Sequence, residues 1–261
     1  MTSGTLRIGI AGIHGRMGRM LVRSVQDAPA ACLSGGTALT ESAPVEGAPV
    51  FARIEDLADV SDLVIDFTHV STVAAHARAL ADRRTPWVLG TTGLSGQEQA
   101  AVVAAAADIP VIQAANFSPG VTLVLRLARQ MGAALPARSY DAEIVEMHHR
   151  QKVDAPSGTA LAIGEAVADG RDVCLSDVKE SGRDGHTGAR AEGAIGFAAL
   201  RGGQIVGEHT LLFTSAAEQI GLTHRAFDRR VFSDGAVQAA LWLAGHEPGL
   251  YDMENVLGLK S

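Results

Sequence analysis

The opening segment of the chain constrains its fold most. Leu6-Arg7-Ile8-Gly9-Ile10-Ala11 is a short apolar run that ends at Gly12. Within Arg16–Val25, the apolar residues Met17, Met20, Leu21 and Val25 then recur at helical spacing. A buried strand that enters a helix through a glycine-rich turn is the first unit of a parallel α/β sheet. The alternation continues with strands expected near Ala31–Gly35 and over Val60–Thr68, Trp87–Thr92 and Ile109–Asn116. An Ala-rich helix is expected over Ser71–Ala81 and another over Gly96–Ala107. Strands alternating with helices of about ten to fifteen residues predict a parallel sheet covered on both faces.

The pattern changes near Ser118. After a helix at Gly120–Leu135, the segments Ala142–His148, Ala194–Arg201, Gln204–Thr214 and Gln219–Ala226 read as strands. Short turns separate the last three, and Gly202-Gly203 reads as a two-residue hairpin. A second, α+β domain with an antiparallel sheet is therefore expected, with a long loop over Gly182–Gly193. A final helix at Gly235–Ala244 and the tail to Ser261 are expected to pack back on the first domain.

Between the first strand and the first helix stands Gly12-Ile13-His14-Gly15-Arg16-Met17-Gly18. Glycines there permit a tight turn and close approach of a pyrophosphate, whose charge the helix N-terminus favours. The spacing departs from G-x-G-x-x-G, because His14 occupies the second glycine position and Gly15 follows it. A glycine turn needed only for packing would read the same way, so the βαβ context carries the weight. The acidic residue that should end the second strand, for the adenosine ribose, is missing from Gly35-Gly36-Thr37-Ala38-Leu39-Thr40-Glu41, unless Glu41 supplies it. Without a carboxylate a 2′-phosphate is less repelled, and Arg16 offers a countercharge, so NADPH is slightly favoured over NADH. Gly90-Thr91-Thr92 and Ala114-Ala115-Asn116-Phe117 follow strands at the same sheet edge and are expected at the nicotinamide end.

Glu143 to Ala160, EIVEMHHRQKVDAPSGTA, is the most unusual stretch. Adjacent histidines at a strand end point to opposite faces, and further ligands at zinc spacing are lacking, so no metal is expected. What remains is a positive cluster of His148, His149, Arg150 and Lys152, in a chain whose other lysines are Lys179 and Lys260. Ser157 reads as the N-cap of an apolar-periodic helix over Ala160–Val167, with Gly158 and Thr159 expected to present free backbone N–H groups. A helix N-terminus beside Lys and His suits a carboxylate, and Lys or His is suited to donate a proton as hydride arrives. A basic surface loop capped by a helix is the simpler alternative.

Composition narrows the partners. A formal net charge of −7 with no long basic run, and 4% aromatic residues, give no footprint for nucleic acid. Cys32 and Cys174 are far apart without metal spacing, which reads as two reduced thiols. No apolar run suits a signal segment or a membrane span, so a cytoplasmic protein is expected.

The chain resembles the bacterial 4-hydroxy-tetrahydrodipicolinate reductase (dihydrodipicolinate reductase) family over nearly its whole length. The markers are G-x-x-G-R-M-G at Gly12–Gly18, I-D-F-T at Ile65–Thr68, G-T-T-G at Gly90–Gly93 and A-N-F-S at Ala115–Ser118. Further on stand E-x-H-H-R-x-K-x-D-A-P-S-G-T-A ending at Ala160, G-H-T-G at Gly185–Gly188 and G-E-H-T at Gly207–Thr210. The resemblance implies an α/β fold: a Rossmann-like parallel-sheet N-terminal domain plus an α+β domain with an open mixed or antiparallel sheet. Residues 1–118 and 229–261 would bind the dinucleotide, and residues 119–228 would bind substrate and build a homotetramer.

It further implies NAD(P)H-dependent reduction of a small dicarboxylate, 4-hydroxy-tetrahydrodipicolinate or its dehydrated dihydrodipicolinate form, to tetrahydrodipicolinate in lysine and diaminopimelate biosynthesis. His148 would donate or accept a proton and Lys152 donate one, with His149, Gly158, Thr159 and Arg229 contacting substrate. Gly12, Ile13, His14, Gly15, Arg16 and Met17 match cofactor contacts, as do Gly90 to Thr92 and Ala114 to Phe117. At Ala38-Leu39 the family commonly shows an acidic residue followed by Arg, so this chain departs from it. Two other readings stand beside this one: an aspartate or homoserine dehydrogenase-like enzyme, and a protein that senses NADP without turnover.

Overall fold

A computed structural model describes residues 4–39 and 42–260. The chain divides into two compact units, Met1–Pro119 with Arg230–Ser261, and Gly120–Arg229. The first begins with β1 (Leu6–Ala11), α1 (Arg16–Gln26), β2 (Ala31–Thr37), β3 (Ser42–Val45), β4 (Ala48–Phe51) and α2 (Ile54–Val60). It continues with β5 (Leu63–Asp66), a 3₁₀ turn, α3 (Val73–Asp82), β6 (Trp87–Leu89), α4 (Gly96–Ala106) and β7 (Pro110–Gln113). The expected strand at Val60–Thr68 is shorter, because Val60 still belongs to α2, whose Leu57 and Ala58 are buried under the sheet. β1 lies between parallel β2 and β5, and β5, β6 and β7 follow in parallel register. Alternate residues of β5 serve two cores: Leu63 and Ile65 pack on one face, Val64 on the other.

The second unit comprises α5 (Pro119–Ala134), β8 (Asp141–His148), α6 (Gly158–Gly170), α7 (Leu175–Val178), β9 (Lys179–Ser181), β10 (Ile195–Arg201), β11 (Gly207–Thr214) and β12 (Gln219–Ala226). Its sheet has the order β12-β11-β8-β10-β9 and is mixed: β8 is antiparallel to β11 but parallel to β10. The hairpin expected at Gly202-Gly203 is therefore not formed. β8 takes the place between β10 and β11, and the two glycines cross its end instead. There the Gly202 N–H donates to the His148 carbonyl at 2.9 Å, and the Arg150 N–H to the Gly203 carbonyl at 3.3 Å. α5 and α6 pack over Ala142, Ile144, Ile195, Leu211 and Phe213 of the sheet.

The chain closes in the first unit with α8 (Arg230–Leu243), β13 (Gly249–Tyr251) and α9 (Met253–Val256). β13 adds to the free edge of β7, giving the order β13-β7-β6-β5-β1-β2-β4-β3. Ala236, Val237, Ala240 and Leu243 of α8 share a core with Leu21, Val22 and Val25 of α1. The expected Rossmann-like sheet is thus present, completed by the C-terminal segment, and the second unit is of α+β type.

Candidate active site

In the second unit, one sheet face is apolar beneath α6 and turns polar toward the end of β8. Glu146 stands opposite His209, and His148 opposite Arg201. Glu146 has no solvent exposure (0%). Its oxygens accept both terminal nitrogens of Arg201 at 2.8 Å each, Nδ1–H of His148 at 2.6 Å and the backbone N–H of Ser157 at 3.1 Å. Burial alone would push this carboxyl up, but the hydrogen bonds from Arg201 and His148 hold it below the usual carboxylate range. Burial lowers the His148 imidazole below its ordinary value, against the pull of Glu146, and the positive charges of Lys152 and Arg201 add to the lowering. Near neutral pH the ring is therefore uncharged. With Nδ1–H given to Glu146, its Nε2 carries a free lone pair.

Ser157 joins this cluster to the helix. Its Oγ accepts the Ala160 N–H at 3.1 Å, capping α6, and lies 3.0 Å from His209 Nε2. Burial pushes His209 down to about 4, so this ring too is neutral. Gly158, exposed, and Thr159, half-buried, form the first turn of α6 as expected from the sequence. Lys152 Nζ pairs with Asp154 Oδ1 at 2.8 Å, and its side chain is 19% exposed. His149 is bonded on both nitrogens: Arg229 donates to Nε2 at 2.8 Å, and Nδ1–H donates to the Gln151 amide oxygen at 3.1 Å. The fold thus brings together His148 and Lys152, and separately His149 and Arg229. Arg201 was not singled out in the sequence, and Glu146 and His209 stood there only within the quoted motifs, without a role. Glu146 was legible in principle, since positions i and i+2 of a strand share a face.

In the first unit, the loops singled out in the sequence all follow the C-terminal ends of β1, β6 and β7. Gly12 has a positive φ of 75° and Gly15 precedes α1, whose start has no side-chain cap. A Cβ on Gly18 would collide with the Gly12 and Ile13 carbonyls, so the helix begins hard against the turn. An uncapped, exposed helix start behind a tight glycine turn fits a pyrophosphate. The side chain of Ile13 is buried (1%), whereas His14, Gly15 and Arg16 are exposed and Met17 is half-buried. The end of β2 holds the turn: the Gly12 N–H donates to Thr37 Oγ1 at 3.1 Å and the Ile13 N–H to the Thr37 carbonyl at 3.0 Å.

Beyond Thr37, Ala38 packs against the core and Leu39 is fully exposed, while Glu41 lies outside the described residues. Gly90 lies directly under the Phe67 ring, which a Cβ would strike, and Phe67 packs on Phe117 with ring centroids 5.4 Å apart. Thr91 is buried and Thr92 exposed; Ala114 and Asn116 are half-buried, Ala115 is exposed, and Asn116 Oδ1 accepts the Ser118 N–H at 2.8 Å.

Comparison with known proteins gives one family for both units. The family model described as "Dihydrodipicolinate reductase, N-terminus" matches residues 6–117, and that described as "Dihydrodipicolinate reductase, C-terminus" matches residues 120–257. The chain is 64% identical to the 4-hydroxy-tetrahydrodipicolinate reductase of Gluconacetobacter diazotrophicus, covering 99% of this chain and 100% of the relative. It is 61% identical to that of Granulibacter bethesdensis, over 99% of each chain. Among solved structures, the dipicolinate-bound dihydrodipicolinate reductase from Paenisporosarcina sp. TG-14 superposes with a TM-score of 0.78. It is 26% identical and covers 96% of this chain and 99% of that one.

Proposed function

The chain belongs to the dihydrodipicolinate reductase family, and from that premise we propose how its residues perform the family's reaction. It is an NAD(P)H-dependent oxidoreductase of lysine and diaminopimelate biosynthesis. It reduces 4-hydroxy-tetrahydrodipicolinate, or its dehydrated dihydrodipicolinate form, to tetrahydrodipicolinate. The aspartate or homoserine dehydrogenase-like reading and the non-catalytic sensor are set aside by this membership.

The observation that carries the residue roles is the buried Glu146 carboxylate bonded to His148 Nδ1. It leaves His148 Nε2 as a proton acceptor, and a donor once protonated. Lys152, held by Asp154, is the proton donor to the reduced ring. His149 with Arg229, and the backbone N–H groups of Gly158 and Thr159 at the start of α6, take the two carboxylates of the substrate. Lys152 leaves Asp154 as the diacid binds, exchanging one carboxylate partner for another.

The bound dinucleotide supplies the hydride. Gly12 to Met17 hold its pyrophosphate at the start of α1. Gly90 to Thr92 and Ala114 to Phe117 line the nicotinamide end. Ala38 and the exposed Leu39 offer no carboxylate to repel a 2′-phosphate, and Arg16 supplies a countercharge, so NADPH is favoured over NADH. A tenfold or greater preference for NADH in kcat/KM, on the order of 1.4 kcal/mol, contradicts this part.

The unit Gly120–Arg229 is the substrate-binding and oligomerisation domain of a homotetramer, and Met1–Pro119 with Arg230–Ser261 the dinucleotide-binding domain, each boundary one residue on from that expected in the sequence. Half-buried Val145, Met147 and Leu212 with exposed Leu200, on the sheet face opposite α6, support assembly through that face. No helix among the described residues is long and apolar enough to cross a membrane, and action in the cytoplasm fits a biosynthetic reductase. The test of the reading is a coupled assay in which dihydrodipicolinate synthase forms the substrate in situ. Substrate-dependent oxidation of NADPH or NADH is expected, and binding of both ligands without oxidation contradicts it.

A further inference from the structure

Asp66, at the end of β5, has no solvent exposure (0%) and no part in the roles assigned above. Its carboxylate is nonetheless fully engaged. Oδ1 accepts the Thr68 backbone N–H at 2.9 Å and the Thr68 hydroxyl at 2.6 Å, while Oδ2 accepts Nδ1–H of His76, on α3, at 2.7 Å. The Asp66 carbonyl also accepts the Gly90 N–H at 2.8 Å. Asp66 stands in register with Ala11, the last residue before the glycine turn, and with Leu89, the last before Gly90.

Thr68 is the point where the two cofactor loops meet this carboxylate. Its carbonyl accepts the Thr91 hydroxyl at 3.1 Å. Its methyl bounds the glycine turn, since a Cβ on Gly12 would lie 3.1 Å from Thr68 Cγ2. Contacts therefore run from His76 through Asp66 and Thr68 to Gly12 on one side and Thr91 on the other. A buried carboxylate that loses a donor rotates to find another. Rotation withdraws Oδ1 from the Thr68 N–H and hydroxyl. The Thr68 side chain then keeps only the Thr72 hydroxyl, 2.7 Å from its own, and its place against both loops loosens.

We propose that His76 is a positioning residue for the dinucleotide. Through Asp66 and Thr68 it holds the Gly12 turn and the Gly90–Thr92 loop at the spacing that receives the cofactor. The proposal rests on the assignment of these two loops to the cofactor.

The test is calorimetric titration of the enzyme with NADPH, together with steady-state kinetics. His76→Ala is expected to raise the Kd and KM for NADPH about tenfold, the scale of one lost hydrogen bond to a charged group. At saturating NADPH, kcat should stay within about threefold of wild type, and dipicolinate affinity should not change. His76→Asn keeps a donor near the position of Nδ1 and should recover most of the NADPH affinity, which a general loss of packing would not allow. A Kd for His76→Ala within about twofold of wild type overturns the proposal, as does an equal loss in the Ala and Asn variants. Should His76→Ala fail to fold, Thr68→Val decides: it keeps the size and removes the hydroxyl, so weaker NADPH binding supports the proposal and unchanged binding overturns it. A wild-type enzyme that binds neither NADPH nor NADH overturns the cofactor assignment itself, and the proposal with it.

Discussion

A carboxylate without solvent exposure that accepts from a guanidinium, an imidazole and a backbone amide stays ionised, and Glu146 is such a group. Its charge supports protonation of His148 against burial and against Lys152 and Arg201. Glu146→Gln keeps the shape and removes the charge, so His148 should titrate at lower pH and act as a weaker base. The acid limb of kcat/KM should move to lower pH, and kcat should fall by at least about tenfold; a profile unchanged in both respects contradicts the role given to Glu146. His209 gives a stability prediction. Its folded value of about 4 lies below the ordinary 6.5, so between these the unfolded chain binds more protons and stability falls as pH falls. The contribution approaches roughly 3 kcal/mol by the acid end of that window. Urea unfolding at pH 7 and pH 4.5 should show a smaller loss in His209→Gln than in wild type, and equal losses contradict the assignment.

α1 and α6 both begin at points where ligand anions are proposed to sit, but the two starts are built differently. α6 is capped by the Ser157 hydroxyl, which His209 holds from the sheet, whereas α1 has no side-chain cap and is pressed onto its turn at Gly18. Gly18→Ala puts a methyl into the Gly12 and Ile13 carbonyls, and NADPH affinity measured by calorimetry should fall at least about tenfold, with dipicolinate affinity unchanged. Equal NADPH affinity in the two proteins would remove the turn from the account. These two starts were legible in the sequence because a strand, a glycine or serine turn and an apolar helical period lie within one short stretch. Partners from distant strands were not. Arg201 and His209 meet Glu146 only because β8 lies between β10 and β11, and a chain reading Gly202-Gly203 predicts instead that β10 and β11 pair with each other. Likewise nothing periodic marks β3, β4 and most of α2, where Ser42–Asp59 carries no strand or helix signal, nor β13, whose three residues Gly249–Tyr251 acquire strand form only by joining β7.

At the scale of the molecule, the chain is a parallel α/β unit closed by its own C-terminal segment and an α+β unit with a mixed sheet, each with its own hydrophobic core. The division of labour follows the loops: those after β1, β6 and β7 are assigned to the dinucleotide, and the end of β8 with the start of α6 to the dicarboxylate. The fold class and the glycine turn were readable from spacing and residue type, but the substrate came only from membership of the family. On the proposed assignment, a change at the residues given to one ligand should leave binding of the other intact. Lys152 puts this to its sharpest trial, because it is assigned a proton in the reaction and no contact with the dinucleotide. The decisive measurement is turnover of Lys152→Ala in the coupled assay, with NADPH affinity measured alongside. A fall in kcat of at least about a hundredfold with NADPH affinity unchanged is expected; turnover near that of wild type would contradict the account.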